Sequence, residues 1–433
     1  MNILCAFLLL VFLLISGPAI NYSIPRHLGA TLYLLSILRY VFLLFWVFAF
    51  PLLAKVDSTQ VCHSCNVIQR DADLAALASK WKSGTLKVLH LGDSHVQIGH
   101  FSGEIKRLLG VKTEGIQFPY SLAKSVDGRV LKSKSMGRWE GTSILKPSTG
   151  WNIGLAGYVV STRDSAAQIT FTLRDSLATL NQIRVWTSAD SYSMVPDVGP
   201  EFILEKRGYQ GKVAYWDFKS YTNVSQFTLG LQKSASNQDV FTLHGVEILS
   251  SEARTDYLDL GVAGAQFTHL KFRGNLVLDQ IELLKPDLLI CSFGTNEAYN
   301  ANWNPATFRQ AVAEFMQDVK SKSPETVFLF TSPPDTRSQK RIPKFQQEVV
   351  QTLSELPAAY YDLNQVMGGF GSSADWVKNG CFLKDQLHLT KEGYQLQAKL
   401  FVLALFKSWG DQSSFETLQN QVTQHTFSIG IPK

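Results

Sequence analysis

The period of hydrophobic positions changes several times along this chain, and the changes divide it. Residues 3–20 are apolar and uncharged, and residues 28–54 are apolar apart from Arg39. Each run is long enough, or nearly so, to cross a bilayer. Residues 71–80 read as a short helix. The unbroken apolar run at 86–91 has the length of a buried strand, and Gly92-Asp93-Ser94 reads as a turn. From Val96 the period becomes helical, with Ile98, Phe101, Ile105, Leu108 and Leu109 on one face. Ser94 is therefore expected at a strand-to-helix turn, its hydroxyl at the carboxyl end of a strand beside the free N–H groups of a helix.

From residue 111 to residue 255 the helical period disappears. Short alternating runs predict strands over 167–173, 182–186, 201–204, 212–218, 226–231 and 240–249, the pattern of a β-sandwich. At Asp256 the helical period returns, now alternating with strands. Strands are expected over 257–262, 287–293, 326–331 and 358–363, and helices over 276–284, 305–319, 342–353 and 390–409. Such alternation argues for a parallel sheet covered by helices on both faces, a flavodoxin-like three-layer α/β/α fold. The α/β domain is thus discontinuous, residues 66–110 and 256–410, with the sandwich of residues 111–255 inserted. Residues 1–55 form a hydrophobic transmembrane or signal-anchor region, and 411–433 a polar tail.

Charged residues make up 18% of the chain and the net charge is +5, with no run of Lys and Arg interleaved with aromatics. A nucleic-acid groove is not expected. Met1-Asn2 offers no basic start for a secretory signal. Arg26 and His27 between the apolar runs would keep that short loop cytoplasmic and place everything after Lys55 on the far side. A true start further downstream would instead make residues 39–54 a signal or signal anchor. Either way the bulk of the chain is exported, membrane-anchored or free. Cys62 and Cys65 are the one pair at redox or metal spacing. With no second Cys/His pair to complete a zinc site, a local disulfide is the simplest expectation. Cys291 lies in an apolar run and is read as inert core. His90, His95 and His100 recur every five residues, which does not place three ligands on one helix face, so no metal site is expected.

Three more segments follow predicted strands or enter the last helix, and converge on the sheet edge that carries Ser94: Gly261-Val262-Ala263-Gly264-Ala265, Gly294-Thr295-Asn296-Glu297, and Asp385-Gln386-Leu387-His388. Together they meet the needs of acyl transfer. A serine needs a base, which His388 supplies; the base needs an acceptor on its other nitrogen, and Asp385 is three residues away. The tetrahedral intermediate needs donors for its oxyanion, available from the N–H groups of Ser94 and Gly264 and the side-chain amide of Asn296.

These four blocks, in this order, resemble those of the SGNH (GDSL-type) hydrolase superfamily. The resemblance implies Ser94 as nucleophile, His388 as base, Asp385 as its orienting acid, Gly264 and Asn296 as oxyanion donors, and no cofactor. The first block departs from the usual pattern in reading Gly-Asp-Ser-His. His95 cannot easily serve as base from the adjacent position, so a substrate contact or a packing role is expected. Gly92-Asp93-Ser94-His95-Val96-Gln97, the segment 117–124 and the inserted β-domain are similar to extracytoplasmic peptidoglycan O-acetylesterases, whose insertion resembles a carbohydrate-binding module. That implies an acetylated cell-wall glycan as substrate and a periplasmic site of action. Trp139, Trp151, Trp186, Tyr192 and Trp216 could stack on sugars or fill the sandwich core. The alternatives are a lipolytic esterase or lysophospholipase of the same superfamily, an acetylated exopolysaccharide as polymer, and a non-catalytic glycan-binding scaffold.

Overall fold

The computed structural model describes residues 61–125, 130–146, 150–175, 179–249 and 255–427. The expected membrane runs at 3–20 and 28–54 lie outside them. Among the described residues no helix is long and apolar enough to cross a membrane. Six strands form the central sheet: β1 (Ile68–Gln69), β2 (Lys87–Gly92), β3 (Asp256–Gly261), β4 (Leu288–Ser292), β5 (Val327–Thr331) and β6 (Ala359–Tyr361). Their spatial order is β1-β6-β5-β4-β2-β3, with β1 an antiparallel edge and the other five parallel. Counted from β2, the parallel strands follow the flavodoxin-like order 2-1-3-4-5, and the direction of winding reverses beside β2.

Alternation along these strands explains the three layers. Val88, Tyr257, Leu288, Ile290, Leu329 and Tyr361 enter one hydrophobic cluster with Phe101 and Ile105 of the His100–Leu108 helix and the Lys391–Ser408 helix. Their neighbours Leu89, Leu258, Leu289, Cys291, Phe328 and Tyr360 enter the other. A sheet buried on both faces needs apolar residues at every position, which is why these strands read as unbroken runs. The second cluster continues into the inserted segment through Phe171, Val185, Trp186 and Leu243.

The segment between β2 and β3 forms antiparallel sheets of seven and four strands. The runs expected from alternation are present as Gln168–Leu173, Leu180–Ser188, Phe202–Gln210, Val213–Val224, Gln226–Gln232 and Phe241–Leu249. Phe202 of one sheet meets Phe227 of the other, ring centroids 6.1 Å apart. The helix expected after Ser94 is broken in two, Ser94–Gln97 and His100–Leu108, at Gly99 in the left-handed conformation. Residues 411–433, expected as a polar tail, hold a helix at Gln412–Phe427. Its Leu418 and Val422 are buried in the first cluster.

Candidate active site

Strand β2 ends where two close approaches leave no room for a side chain. A Cβ on Gly92 would lie 2.4 Å from Val96 Cγ2 and 2.8 Å from the Ser292 carbonyl. The chain then turns at Asp93, whose side-chain Oδ1 caps the next helix by accepting from the His95 N–H at 2.9 Å. Ser94 is the first residue of that helix, so its own N–H has no intrahelical acceptor.

Strand β3 ends beside it. The Val262 N–H donates to the Gly92 carbonyl at 3.1 Å and the Ala263 N–H to Gln97 Oε1 at 2.5 Å. Gly264 follows at φ +84°, a conformation that favours glycine. Strand β4 leads into Gly294-Thr295-Asn296-Glu297. Asn296 Nδ2 donates to the Ala265 carbonyl at 2.9 Å and to Asp93 Oδ2 at 3.2 Å. Both hydrogens of the amide expected to face an oxyanion thus meet protein acceptors, the longer bond being the one to Asp93. The loops after β2, β3 and β4 meet around Asp93, at the point where the sheet reverses its winding.

The fourth block arrives from the loop before the Lys391–Ser408 helix. Gln386 adopts φ +52°, and the Asp385 carboxylate accepts from the N–H groups of Leu387 and His388, each at 3.0 Å. This tight turn points both side chains the same way. His388 Nδ1 lies 2.7 Å from Asp385 Oδ2, and His388 Nε2 lies 2.9 Å from Ser94 Oγ. Partial burial alone would push the Asp385 carboxyl up, but hydrogen bonds from His388 and the two backbone groups hold it below the usual carboxylate range. A serine hydroxyl, an imidazole and a carboxylate are linked in line, an arrangement able to move a proton off the hydroxyl. All five expected residues, Ser94, Gly264, Asn296, Asp385 and His388, border this junction.

Asp93, Gln97 and Glu297, also at the junction, were given no role from sequence, whereas His95 was given one. Asp93 is 1% exposed, and its pKa is raised to about 8, chiefly by burial and further by Glu297, against the His95 N–H bond that lowers it. Glu297 is fully buried and accepts from the Phe267 N–H at 2.7 Å and the Gly294 N–H at 3.0 Å. It fixes the start of the Phe267–Arg273 helix against the Asn296 turn. Gln97 joins Ala263 to Ser125 and Tyr158 of the insert. His95 is buried, with Nδ1 2.8 Å from the Tyr394 hydroxyl and its ring 5.4 Å from that of His388. Burial, and then the neighbouring His388, outweigh Asp385 and push its pKa down to about 3. The ring is therefore neutral, and its place is packing behind His388, one of the two roles expected for it. Asp93, Gln97 and Glu297 stand inside the quoted motifs, so their positions were visible; their partners were not.

Cys62 and Cys65 form a disulfide. Cys291 is buried at 1% exposure. Among the described residues no group of three or more His, Cys, Asp or Glu could hold a metal.

A GDSL-like lipase/acylhydrolase family profile matches residues 240–396, a span that includes Gly264, Asn296, Asp385 and His388 and begins after Ser94. A solved peptidoglycan O-acetylesterase superposes with a TM-score of 0.60 at 18% identity, covering 78% of this chain and 96% of that one. A lipase/acylhydrolase from Enterococcus faecalis is 21% identical over 34% of this chain and 74% of its own, with a TM-score of 0.26. A carbohydrate esterase family 2 enzyme with a carbohydrate-binding domain, from Corynascus thermopiles (Myceliophthora fergusii), is 10% identical over 63% of this chain and 100% of its own, with a TM-score of 0.28. Of these three, the first shares the fold over most of the chain. No curated protein matches the chain in sequence.

Proposed function

We infer that this chain, an ester hydrolase of the GDSL-like (SGNH) family, removes O-acetyl groups from cell-wall glycan outside the cytoplasm. The observation that carries the mechanism is the line from Ser94 Oγ through the His388 ring to Asp385, 2.9 Å and 2.7 Å at its two joints. The fold shared over most of the chain with a peptidoglycan O-acetylesterase supports the choice of polymer. The apolar runs at 3–20 and 28–54 and the Cys62–Cys65 disulfide support a membrane-anchored or exported, periplasmic enzyme.

In this reading Ser94 Oγ attacks the acetyl carbonyl carbon while its proton passes to His388 Nε2. Asp385, held ionised, fixes the tautomer that leaves Nε2 free to accept and stabilises the imidazolium that forms. The carbonyl oxygen becomes an oxyanion facing the N–H groups of Ser94 and Gly264, for neither of which the described residues provide an acceptor. Asn296 joins them by exchanging its longer bond, to Asp93, for the oxyanion. The intermediate collapses, the C–O bond to the sugar breaks, and the sugar oxygen takes the proton from His388. Water, losing a proton to the same nitrogen, then attacks the acetyl-Ser94 ester. Acetate leaves and Ser94 recovers its proton. The chemistry draws on these side chains, the backbone N–H groups and water, with no cofactor assigned.

The insert belongs to the same proposal. It presents a groove of about 790 Å³ lined by Arg138, Glu140, Trp151, Asn152, Arg163 and Asp164 among others, polar side chains and an indole suited to a sugar.

Acetate release from O-acetylated peptidoglycan by the full chain, with Ser94→Ala as control and a long-chain ester alongside, tests the reading. Release that vanishes in Ser94→Ala, with the long-chain ester untouched, is expected. Hydrolysis of the long-chain ester alone would assign the enzyme to lipolytic substrates, and inactivity on both would favour a glycan-binding protein.

A further inference from the structure

One insert side chain stands over the proposed oxyanion glycine. At Gly264 the position a Cβ would occupy lies 3.7 Å from Leu145 Cδ1, and among the described residues, the glycine's chain neighbours aside, no other atom comes within 4 Å. Leu145 follows the insert strand Glu140–Ser143 and is 36% exposed, an apolar side chain facing solvent at the edge of a polar junction.

Its backbone is tied to the α/β domain. Arg273, last residue of the Phe267–Arg273 helix, donates from Nη1 to the Ile144 carbonyl at 2.9 Å and the Leu145 carbonyl at 2.8 Å. Ile144 beside it is buried, and its N–H donates to the Gly157 carbonyl at 2.9 Å. The leucine is thus held in place from both domains. Resting on the deacetylase reading above, the chemistry of the two product halves decides which one it meets. The leaving group is a polyol, for which an aliphatic side chain is a poor neighbour. The acyl group carries a methyl, for which it is a good one.

We propose that Leu145 closes the acyl side of the site and limits the enzyme to short acyl groups. An acetyl methyl packs against the leucine, and each further methylene collides with a side chain whose backbone Arg273 keeps from retreating. Specificity for acetate then comes from the insert rather than from the catalytic loops.

The test is kcat/KM of the full chain on p-nitrophenyl acetate, butyrate and octanoate, for the wild type and for Leu145→Ala. A methylene misfitted against a pocket wall is worth roughly 10–200-fold. Wild type should lose activity steeply from acetate to octanoate. Leu145→Ala should raise the butyrate-to-acetate ratio of kcat/KM by about tenfold or more. Leu145→Phe, which keeps the wall and enlarges it, should lower the acetate rate with an unchanged melting temperature. Parallel chain-length profiles in wild type and Leu145→Ala would overturn the inference while leaving the hydrolase reading intact. A wild type inactive on all three esters would overturn that reading and, with it, this one.

Discussion

Asp93 illustrates how much of this site depends on neighbours rather than on motif. Its carboxyl is buried next to the Asn296 amide, 3.2 Å away, and burial pushes its pKa up to about 8, so the neutral form prevails at neutral pH. A neutral carboxyl places no negative charge beside a developing oxyanion and leaves the amide less tightly held. As pH rises through 8 the proton leaves. The new charge would repel the oxyanion and compete for the Asn296 N–H, so kcat/KM should fall on the alkaline side. In Asp93→Asn that limb should disappear from the pH–rate profile measured on p-nitrophenyl acetate; an alkaline limb unchanged in the variant would remove Asp93 from this role. Ser94, Gly264, Asn296, Asp385 and His388 were legible because four ordered blocks bind residue type to position. Asp93 was equally visible, but its influence comes from burial and from the neighbouring charge of Glu297, which no local pattern reports. Leu145 carried no signal at all, since it stands in a block whose alternation gives no hint of what it faces.

At the scale of elements, the junction between the insert and the α/β domain rests on a buried cation. Lys106, from the His100–Leu108 helix, pairs with Asp259 on β3 at 3.0 Å and Glu114 of the first insert strand at 2.5 Å. Burial alone would lower its pKa, but Asp259 and Glu114 outweigh burial and raise it. On Asp259 burial pushes up, and Lys106 and the Ser102 hydroxyl more than offset it. Removing the cation leaves Asp259 buried and uncompensated, which costs about 3–5 kcal/mol. Lys106→Met should lower the unfolding free energy by that order in urea titration, and a change below about 1 kcal/mol would show that the pair is replaceable. The parallel strands were legible because burial on both faces makes them unbroken apolar runs. Leu131–Met136 was missed because its sequence, Leu-Lys-Ser-Lys-Ser-Met, is largely exposed at a sheet edge. The Gln412–Phe427 helix was missed because it buries few apolar residues, Leu418 and Val422 among them, too sparse a stripe to stand out.

For the whole molecule, strand order explains why residues nearly 300 positions apart in sequence meet: Ser94 and His388 are separated by 294. The winding reverses beside β2, so the loops after β2, β3 and β4 come together at one end of the sheet, and the turn ahead of the last helix joins them there. The insert shares a hydrophobic core with the sheet and reaches this junction at Leu145, so in the proposed function one surface would serve both the ester and the polymer that carries it. The account's central claim is that the ester passes through a covalent acetyl-Ser94. Mass spectrometry of the full chain, acid-quenched within its first turnovers on an acetyl ester and digested, tests that most directly. One acetyl group on the peptide containing Ser94, absent from Ser94→Ala, is the predicted result. Acetate release that continues undiminished in Ser94→Ala, with no acetylated peptide in the wild type, would contradict it.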